Sequence, residues 1–223
     1  MEFHEYPDRE MMMLRLAQRL SSELGESLRS AGRATLSVPG GTTPGPVFDT
    51  LSGVDLDWQK IAVVLNDERW VPEDSPRSNT RLLRERLLTG RAAAAQFVPL
   101  RNDAPTPEAG REELCAGLEP HLPISVLLLG MGEDMHTASL FPGADNLEAA
   151  LRADAPPLMA MRAEAAGEPR ITLTAPILQG ALRVHVLITG ARKRDALERA
   201  LTLAPREAPI ACILDQAQVH WAE

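Results

Sequence analysis

Apolar runs of strand length alternate with helix-like segments along this chain. The clearest runs are ATLSV (34–38), IAVVL (61–65), ISVLLLG (124–130) and RVHVLIT (183–189). Unbroken apolar strands are typical of a parallel sheet that helices cover on both faces. The alternation therefore predicts an α/β fold with a mostly parallel sheet.

The segments between these strands have helical periodicity. In residues 9–31, Leu16, Leu20, Leu24 and Leu28 recur at i+4 spacing, which predicts a helix. We predict further helices over 46–52, 78–88, 106–118, 146–152 and 191–202, and strands over 97–100, 158–162 and 170–174, with 210–214 and 219–221 closing the chain. The sequence has no internal repeat or linker, so residues 1–223 are expected to form a single domain.

Composition limits the classes of function. The formal net charge of -8 argues against a nucleic-acid binder and means that an anionic ligand would need a local positive cluster. No apolar run approaches the roughly 18 residues of a membrane helix, and the acidic start MEFHEYPDRE is not a secretory signal. Cys115 and Cys212 lack metal-ligand spacing and are expected to be buried, reduced thiols. We therefore expect a cytoplasmic protein without membrane or nucleic-acid partners.

Glycine and charged residues follow four of the predicted strands. These segments are PGGTTPGP, NDERWVPEDSPRSN, MGEDMHTASLFPG and GARKRDAL. In an open parallel sheet the carboxyl ends of the strands share one edge, and ligands bind there near the switch in strand order. The sequence thus predicts a functional site at that edge.

The glycine loop PGGTTPGP (39–46) is a candidate anion site. Gly40 and Gly41 would let backbone N–H groups approach an anion at the start of a helix, and Thr42 and Thr43 add hydroxyl donors. A tight turn with ordinary helix caps explains the same residues equally well.

The segment NDERWVP (66–72) places two carboxylates and an arginine behind a buried strand. Arg69 could bind a phosphate or a developing oxyanion, and Asp67 could orient a base or a water molecule. A solvated charge cluster is the commoner explanation of such a segment.

His136 is the candidate general base among the five histidines. It lies at the end of the leucine-rich strand, among acidic and hydroxyl side chains. His4 is expected in a mobile tail and His121 in a loop, whereas His185 and His220 are expected to be structural.

Lys193 lies in the first turn of a predicted helix, where the helix dipole disfavours a cation. Only Lys60 and Lys193 are lysines among 23 basic residues. The position indicates a nearby anionic ligand, although a solvated basic helix face is an equal alternative.

Taken together, these motifs resemble those of the 6-phosphogluconolactonase family along nearly the whole chain. The matching segments are GGTTP, DERWVP followed by Ser78-Asn79, GEDMHTASLFP, RITLT (170–174) and TGARK (189–193). The resemblance implies a Rossmann-like three-layer α/β/α fold. It also implies hydrolysis of a phosphorylated sugar lactone, 6-phosphogluconolactone, without a metal or cofactor.

The resemblance also implies roles for individual residues. His136 would activate water, and Asp67 would hold and polarise His136 or that water. Arg69 and Lys193 would bind the phosphate or stabilise the oxyanion, and the sequence leaves this division open. The implied further anion ligands are Gly40, Gly41, Thr42, Thr43 and Arg170.

Two residues depart from the family pattern. Met135 precedes the histidine where the family usually has glycine, so it would be strained if that position has positive φ. Pro39 precedes the glycine pair and removes one N–H donor, so that anion contacts should come from later amides.

Two alternatives remain on the same fold. A glucosamine-6-phosphate deaminase or sugar-phosphate isomerase would be similar around the glycine loop, but TASLFPG after the histidine and WVP after DER resemble the lactonases. A non-catalytic sugar-phosphate sensor attached to a DNA-binding segment would need more than residues 1–33 before the domain. We expect a monomer or a weak homodimer.

Overall fold

Seven parallel strands form the central sheet. The structure is a computed structural model that describes residues 1–223, the side chain of Ala165 excepted. The strands are β1 (Glu2–Glu5), β2 (Ala34–Val38), β3 (Ile61–Leu65), β4 (Asp67–Arg69), β5 (Gln96–Val98), β6 (Val126–Gly130), β7 (Leu158–Met161), β8 (Arg170–Leu173), β9 (Val184–Thr189) and β10 (Ala217–Ala222). The central order is β1-β10-β9-β6-β2-β3-β5, and each neighbouring pair is parallel.

Helices flank this sheet. They are α1 (Arg9–Ala31), α2 (Gly45–Ser52), α3 (Asn79–Arg86), α4 (Pro107–Leu118), α5 (Leu147–Ala150), α6 (Ala175–Gln179) and α7 (Ala191–Ala200). Every residue of β2 and β3 is buried, as expected for strands covered on both faces. The predicted α/β fold with a mostly parallel sheet is confirmed. None of the described helices is long and apolar enough to cross a membrane.

Helix α1 follows from its sequence. Asp8 accepts a hydrogen bond from the backbone N–H of Met11 at 2.7 Å and so caps the first turn. Leu16, Leu20 and Leu24 are fully buried, because i+4 spacing places them on one face against the sheet. The helix ends at Gly32, whose φ of 73° suits glycine.

A second sheet, which the sequence analysis did not predict as a unit, is antiparallel and has the order β4-β8-β7. Strand β4 has three residues and begins two residues after β3 ends. Its pairing with β8 places Asp67 opposite Thr172 and Arg69 opposite Arg170. The small sheet thus brings residues from distant parts of the chain to the carboxyl edge of the central sheet.

The amino terminus forms strand β1, so the prediction that His4 lies in a mobile tail is wrong. Strand β1 pairs with β10 in a register that places His4 opposite His220, and the two imidazoles stack with centroids 5.1 Å apart. At the other end of the chain, Pro209–Cys212 form a 3-10 helix and the closing strand is β10. The partner of β1 lies more than 200 residues away, so no local pattern could reveal the pairing.

A buried polar chain joins α1 to the edge of the sheet. His185 Nε2 lies 2.7 Å from Glu23 Oε2, and His185 Nδ1 lies 3.1 Å from His220 Nε2. His220 Nδ1 lies 2.8 Å from the hydroxyl of Tyr6. These contacts agree with the structural role predicted for His185 and His220.

Candidate active site

A cavity of about 220 Å³ opens at the carboxyl edge of β2, β3, β6 and β9. Strand β2 lies between β3 and β6, so the direction of the winding reverses beside this cavity, as expected for a ligand site. Each of the four strand-end segments contributes to the walls. Among the predicted site residues, those that line the cavity are Gly40, Gly41, Thr43, Asp67, Arg69, His136, Arg170 and Lys193.

Thr42 lies apart from the other predicted residues. It is exposed and lines a neighbouring groove together with Arg9 and Thr189, whereas Thr43 lines both the groove and the cavity. The structure therefore brings eight of the nine predicted site residues together and leaves Thr42 at the rim.

The imidazole of His136 is held by Asp134. Nδ1 of His136 lies 2.6 Å from Oδ1 of Asp134, and the ring packs against Phe141 with centroids 4.3 Å apart. The pKa of Asp134 lies below its ordinary value. Partial burial acts to raise it, but the hydrogen bond from His136 and the charge of that imidazole outweigh the effect of burial. An ionised carboxylate only accepts, so Nδ1 carries the proton and Nε2 is left as the basic nitrogen.

The loop that carries His136 is closed by backbone hydrogen bonds. The N–H of Gly132 donates to the carbonyl of His136, and the N–H of Met135 donates to the carbonyl of Gly132, both at 3.0 Å. Met135 has a φ of 67°, so the left-handed conformation anticipated for this position is present with methionine in it. The N–H of Ile210 donates to the carbonyl of Met135 at 3.1 Å and ties the loop to the 3-10 helix.

Gly132 is required by a close approach. A Cβ added to Gly132 would lie 2.2 Å from Nδ1 of His136 and 2.3 Å from Oδ1 of Asp134. Any side chain there would therefore displace the hydrogen-bonded pair. Sequence reasoning did not single out Gly132 or Asp134, although Asp134 precedes the histidine by only two positions.

Asp67 is held by other partners. Its Oδ2 accepts a hydrogen bond from Ser139 Oγ at 2.5 Å and lies 3.4 Å from Nη1 of Arg170. The resemblance implied that Asp67 holds either His136 or a water molecule, and it is Asp134 on the same loop that contacts the His136 imidazole. Asp67 still lines the cavity, where it faces the space that a water molecule or substrate would occupy.

Two arginines lie side by side in the cavity wall. Arg69 and Arg170 are directly opposite across β4 and β8. Arg69 Nη1 donates to the carbonyl of Arg77 at 2.6 Å, and Arg170 Nη2 donates to the carbonyl of Ala166 at 3.2 Å. The Nε atoms of both arginines are buried and have no hydrogen-bond partner among the described residues. Burial and then repulsion from Arg170 lower the pKa of Arg69. This arrangement favours an anion between the two side chains.

Lys193 lies in the first turn of α7 and is half-buried. Burial lowers its pKa, although the charges of Glu133 and Asp134 act in the opposite direction. Lys193 and His136 both line the cavity.

The glycine loop packs closely against α3. A Cβ added to Gly40 would lie 2.0 Å from Oδ1 of Asn79, so this contact excludes larger residues. Gly41 has a φ of 81°, which only glycine adopts without strain. Among the described residues, no group of three or more histidine, cysteine or acidic side chains is arranged to hold a metal ion.

Comparison with known proteins agrees with these motifs. The family model described as glucosamine-6-phosphate isomerases/6-phosphogluconolactonase matches residues 7–221. A 6-phosphogluconolactonase of Mesorhizobium japonicum is 40% identical over 99% of this chain and 94% of its own length. One of Rhizobium meliloti is 42% identical over 93% of this chain and 94% of its own length.

Solved structures show the same likeness. The crystal structure of a 6-phosphogluconolactonase from Shewanella baltica has a TM-score of 0.96 and 34% identity, and the match covers 100% of this chain and 97% of that one. A monomeric glucosamine-6-phosphate deaminase has a TM-score of 0.79 at 16% identity, which shows a shared fold alone. Given the family match over nearly all its length and relatives at 40% identity, the chain belongs to the glucosamine-6-phosphate isomerase/6-phosphogluconolactonase family.

Proposed function

We propose that this chain hydrolyses 6-phospho-D-glucono-1,5-lactone to 6-phospho-D-gluconate, the lactonase step of the oxidative pentose phosphate pathway. The observation that carries the proposal is the pair His136–Asp134 in a cavity that also holds Arg69, Arg170 and Lys193. A base beside a cluster of cations suits a phosphorylated substrate with an electrophilic carbonyl. The relatives named for this activity support the same substrate.

The reaction needs a base but no covalent nucleophile. Nε2 of His136 takes a proton from a water molecule as the water oxygen attacks the lactone carbonyl carbon. The carbonyl oxygen becomes an oxyanion, and collapse of the tetrahedral intermediate breaks the bond from the carbonyl carbon to the ring oxygen. The proton held by His136 passes to that ring oxygen, which leaves as a hydroxyl group. A positioned general base contributes typically about 10²–10⁴-fold.

The hydrogen bond from His136 to Asp134 supports this cycle. As His136 accepts the proton it becomes a cation, and the carboxylate beside Nδ1 stabilises that charge. It also fixes the tautomer that leaves Nε2 unprotonated before the reaction. Asp67, which also lines the cavity, is proposed to orient the attacking water while Ser139 and Arg170 hold its carboxylate.

The positive groups have two tasks in this proposal. The phosphate of the substrate needs cations and N–H donors, and the oxyanion needs a donor near the carbonyl carbon. Arg69, Arg170 and Lys193 supply the charge, and the loop of Gly40, Gly41 and Thr43 supplies backbone and hydroxyl donors. Thr42 is proposed as a donor at the rim only, because it lines the neighbouring groove.

Several further properties are part of the proposal. We propose that residues 1–223 act as one domain and that the enzyme is cytoplasmic. We also propose that it is a monomer or a weak homodimer.

The experiment is an assay of lactone hydrolysis by acid release, with the uncatalysed opening subtracted. We expect His136→Ala to lower kcat by about 10²–10⁴-fold, while His121→Ala, at the end of the short 3-10 helix Glu119–His121 and outside the cavity lining, stays close to the unsubstituted protein. Full activity of His136→Ala would remove it from the mechanism. If the protein gave no acceleration at all, ammonia release from glucosamine 6-phosphate would be measured next.

A further inference from the structure

Glu68 is a buried carboxylate between two residues of the cavity wall. Only 1% of the residue is exposed. Oε1 accepts hydrogen bonds from the backbone N–H groups of Arg69 at 2.7 Å and Asn79 at 2.8 Å. Oε2 accepts from the N–H and the hydroxyl of Thr80, both at 2.7 Å, and from the hydroxyl of Ser78 at 3.2 Å.

These donors allow the charge to be buried. An isolated carboxylate in a protein interior is strongly unfavourable, and it neutralises unless donors surround it. The backbone donors from Asn79 and Thr80 belong to the first turn of α3, where the helix dipole also favours a negative charge. Glu68 therefore bonds β4 to the start of α3 through five hydrogen bonds from the two segments.

The position of Glu68 in β4 connects this cluster to the cavity. Successive side chains of a strand point to opposite faces, so Asp67 and Arg69 lie on the cavity side while Glu68 lies behind them. Hydrogen bonds that hold the backbone at Glu68 therefore also hold Asp67 and Arg69 in position.

The same cluster sets the position of the glycine loop. Asn79, whose N–H bonds to Glu68, donates from Nδ2 to the carbonyl of Asp67 at 3.0 Å. The side-chain oxygen of Asn79 lies 2.0 Å from the position that a Cβ on Gly40 would take. Strand β4 and the loop at Gly40 therefore both contact Asn79, whose backbone N–H is held by the Glu68 carboxylate.

We propose that Glu68 is a positioning residue for the lactonase reaction, which holds Arg69, Asp67 and the Gly40 loop in the geometry that binds the phosphorylated substrate. It does not line the cavity and acts through its neighbours. The proposed general base His136 and its partner Asp134 lie on a different loop. Glu68 therefore affects substrate binding more than the chemical step. This inference rests on the proposed function.

The decisive variant is Glu68→Gln. The glutamine NH₂ group must face a backbone N–H in either orientation, because Arg69 and Asn79 donate to one oxygen and Thr80 to the other. We expect a rise in KM of about tenfold or more and a smaller fall in kcat through Asp67, since small displacements weaken productive binding and misplace the attacking water.

Glu23→Gln is the matched control. Glu23 is 9% exposed, and its carboxylate contacts His185 of β9. Neither residue lines the cavity, so Glu23→Gln removes a buried carboxylate without changing the cavity wall. We expect a lower Tm but an unchanged KM. If Glu68→Gln behaved in the same way, with only its Tm lowered, the proposal would be overturned.

A second variant and a second measurement keep the test decisive. Thr80→Val removes one hydroxyl donor and leaves the carboxylate, so a raised KM supports the proposal and an unchanged KM contradicts it if Glu68→Gln does not fold. Calorimetric titration with 6-phosphogluconate measures binding without turnover. If the unsubstituted protein binds this ligand but hydrolyses no lactone, the proposed function fails, and the affinities of the Glu68 and Glu23 variants still decide the role of Glu68.

Discussion

His136 and Asp134, two residues apart in the chain, are joined by a hydrogen bond of 2.6 Å between Nδ1 and Oδ1. The contact is possible because Gly132 lacks a side chain and the turn between them contains a left-handed residue, Met135. A single short loop therefore supplies both the proposed base and the carboxylate that holds its imidazole. Asp67, from strand β4, contacts Ser139 and Arg170 instead and lines the cavity.

Asp134→Asn should slow the reaction. The amide keeps the shape but removes the charge that stabilises protonated His136, so we expect kcat to fall by roughly 10–10³-fold, less than the roughly 10²–10⁴-fold expected on loss of the base itself. KM should change little because Asp134 supplies no charge to the phosphate. Glu133→Gln is the control, since Glu133 is exposed and lies 3.9 Å from Arg192. Equal kcat values for both variants would show that the hydrogen bond is not used in catalysis.

Lys193→Ala should weaken binding of the phosphorylated lactone. A hydrogen bond to a charged group contributes about 1.5–3 kcal/mol, which corresponds to a rise in KM of about 10–100-fold. The chain offers a matched control in Lys60→Ala, because Lys60 is exposed and pairs with Asp57 at 2.7 Å. Steady-state kinetics of both variants check the prediction. Unchanged KM and kcat in Lys193→Ala would make this lysine a surface residue only.

Gly132→Ala should abolish most activity with the fold retained. The added Cβ would lie 2.2 Å from Nδ1 of His136, so the imidazole must move away from Asp134. We expect a loss of kcat similar to that of Asp134→Asn, about tenfold or more. Gly117→Ala in α4 is the control, because the added Cβ meets no described atom within 4 Å there. In a helix interior that change stabilises by about 0.5–1 kcal/mol.

Met135→Gly should be tolerated. Glycine removes the cost of about 1–2 kcal/mol that a non-glycine residue has in the left-handed conformation. Two effects oppose this stabilisation: the partly buried methionine side chain is lost, and glycine raises the conformational entropy of the unfolded state. We expect the free energy of unfolding to change by less than about 1 kcal/mol, with kcat/KM nearly constant. Met135→Ala keeps the strain and loses the side chain, so it should unfold more easily. A collapse of activity in Met135→Gly would mean that the methionine shapes the cavity.

Stability should fall on the acid side partly because of His220. Burial and then the charges of His185, His4 and Arg19 lower the pKa of His220 to about 2, whereas an unfolded histidine titrates near about 6.5. The unfolded state therefore binds an extra proton between these values, and the stability present above about pH 6.5 is lost as pH decreases, by about 2 kcal/mol at pH 5.

Urea unfolding at several pH values checks this dependence. His220→Gln keeps donor and acceptor groups for His185 and Tyr6 but does not titrate. Its free energy of unfolding should be lower at neutral pH and decrease less steeply between pH 7 and 5. Parallel curves for the two proteins would contradict the role of His220.

Much of the fold could be predicted because its signals are local. Strands β2, β3, β6 and β9 are apolar runs, and the leucines of α1 repeat at helical spacing. Strands β1 and β4 were missed because they have only four and three residues and exist through pairing with distant strands.

The site was partly predictable for a similar reason. Placement at strand ends predicted that His136, Arg69 and Lys193 would lie together, since the carboxyl edge follows from chain order, and all three line the cavity. The hydrogen-bond partners Asp134, Glu68 and Ser139 were not identified, because side-chain contacts depend on loop geometry that no periodicity encodes.

The pairing of β4 with β8 has a consequence for how ligands arrive. Backbone hydrogen bonds hold Arg69 beside Arg170 before any anion is present, so their mutual repulsion is already balanced by the fold. In a chain of net charge -8, the cavity lining gathers Arg69, Arg170 and Lys193 against the single carboxylate of Asp67. Cations gathered in a cleft raise the encounter rate with anionic molecules, an effect that fades as ionic strength rises. Association of the proposed phosphorylated substrate should therefore slow as salt is added.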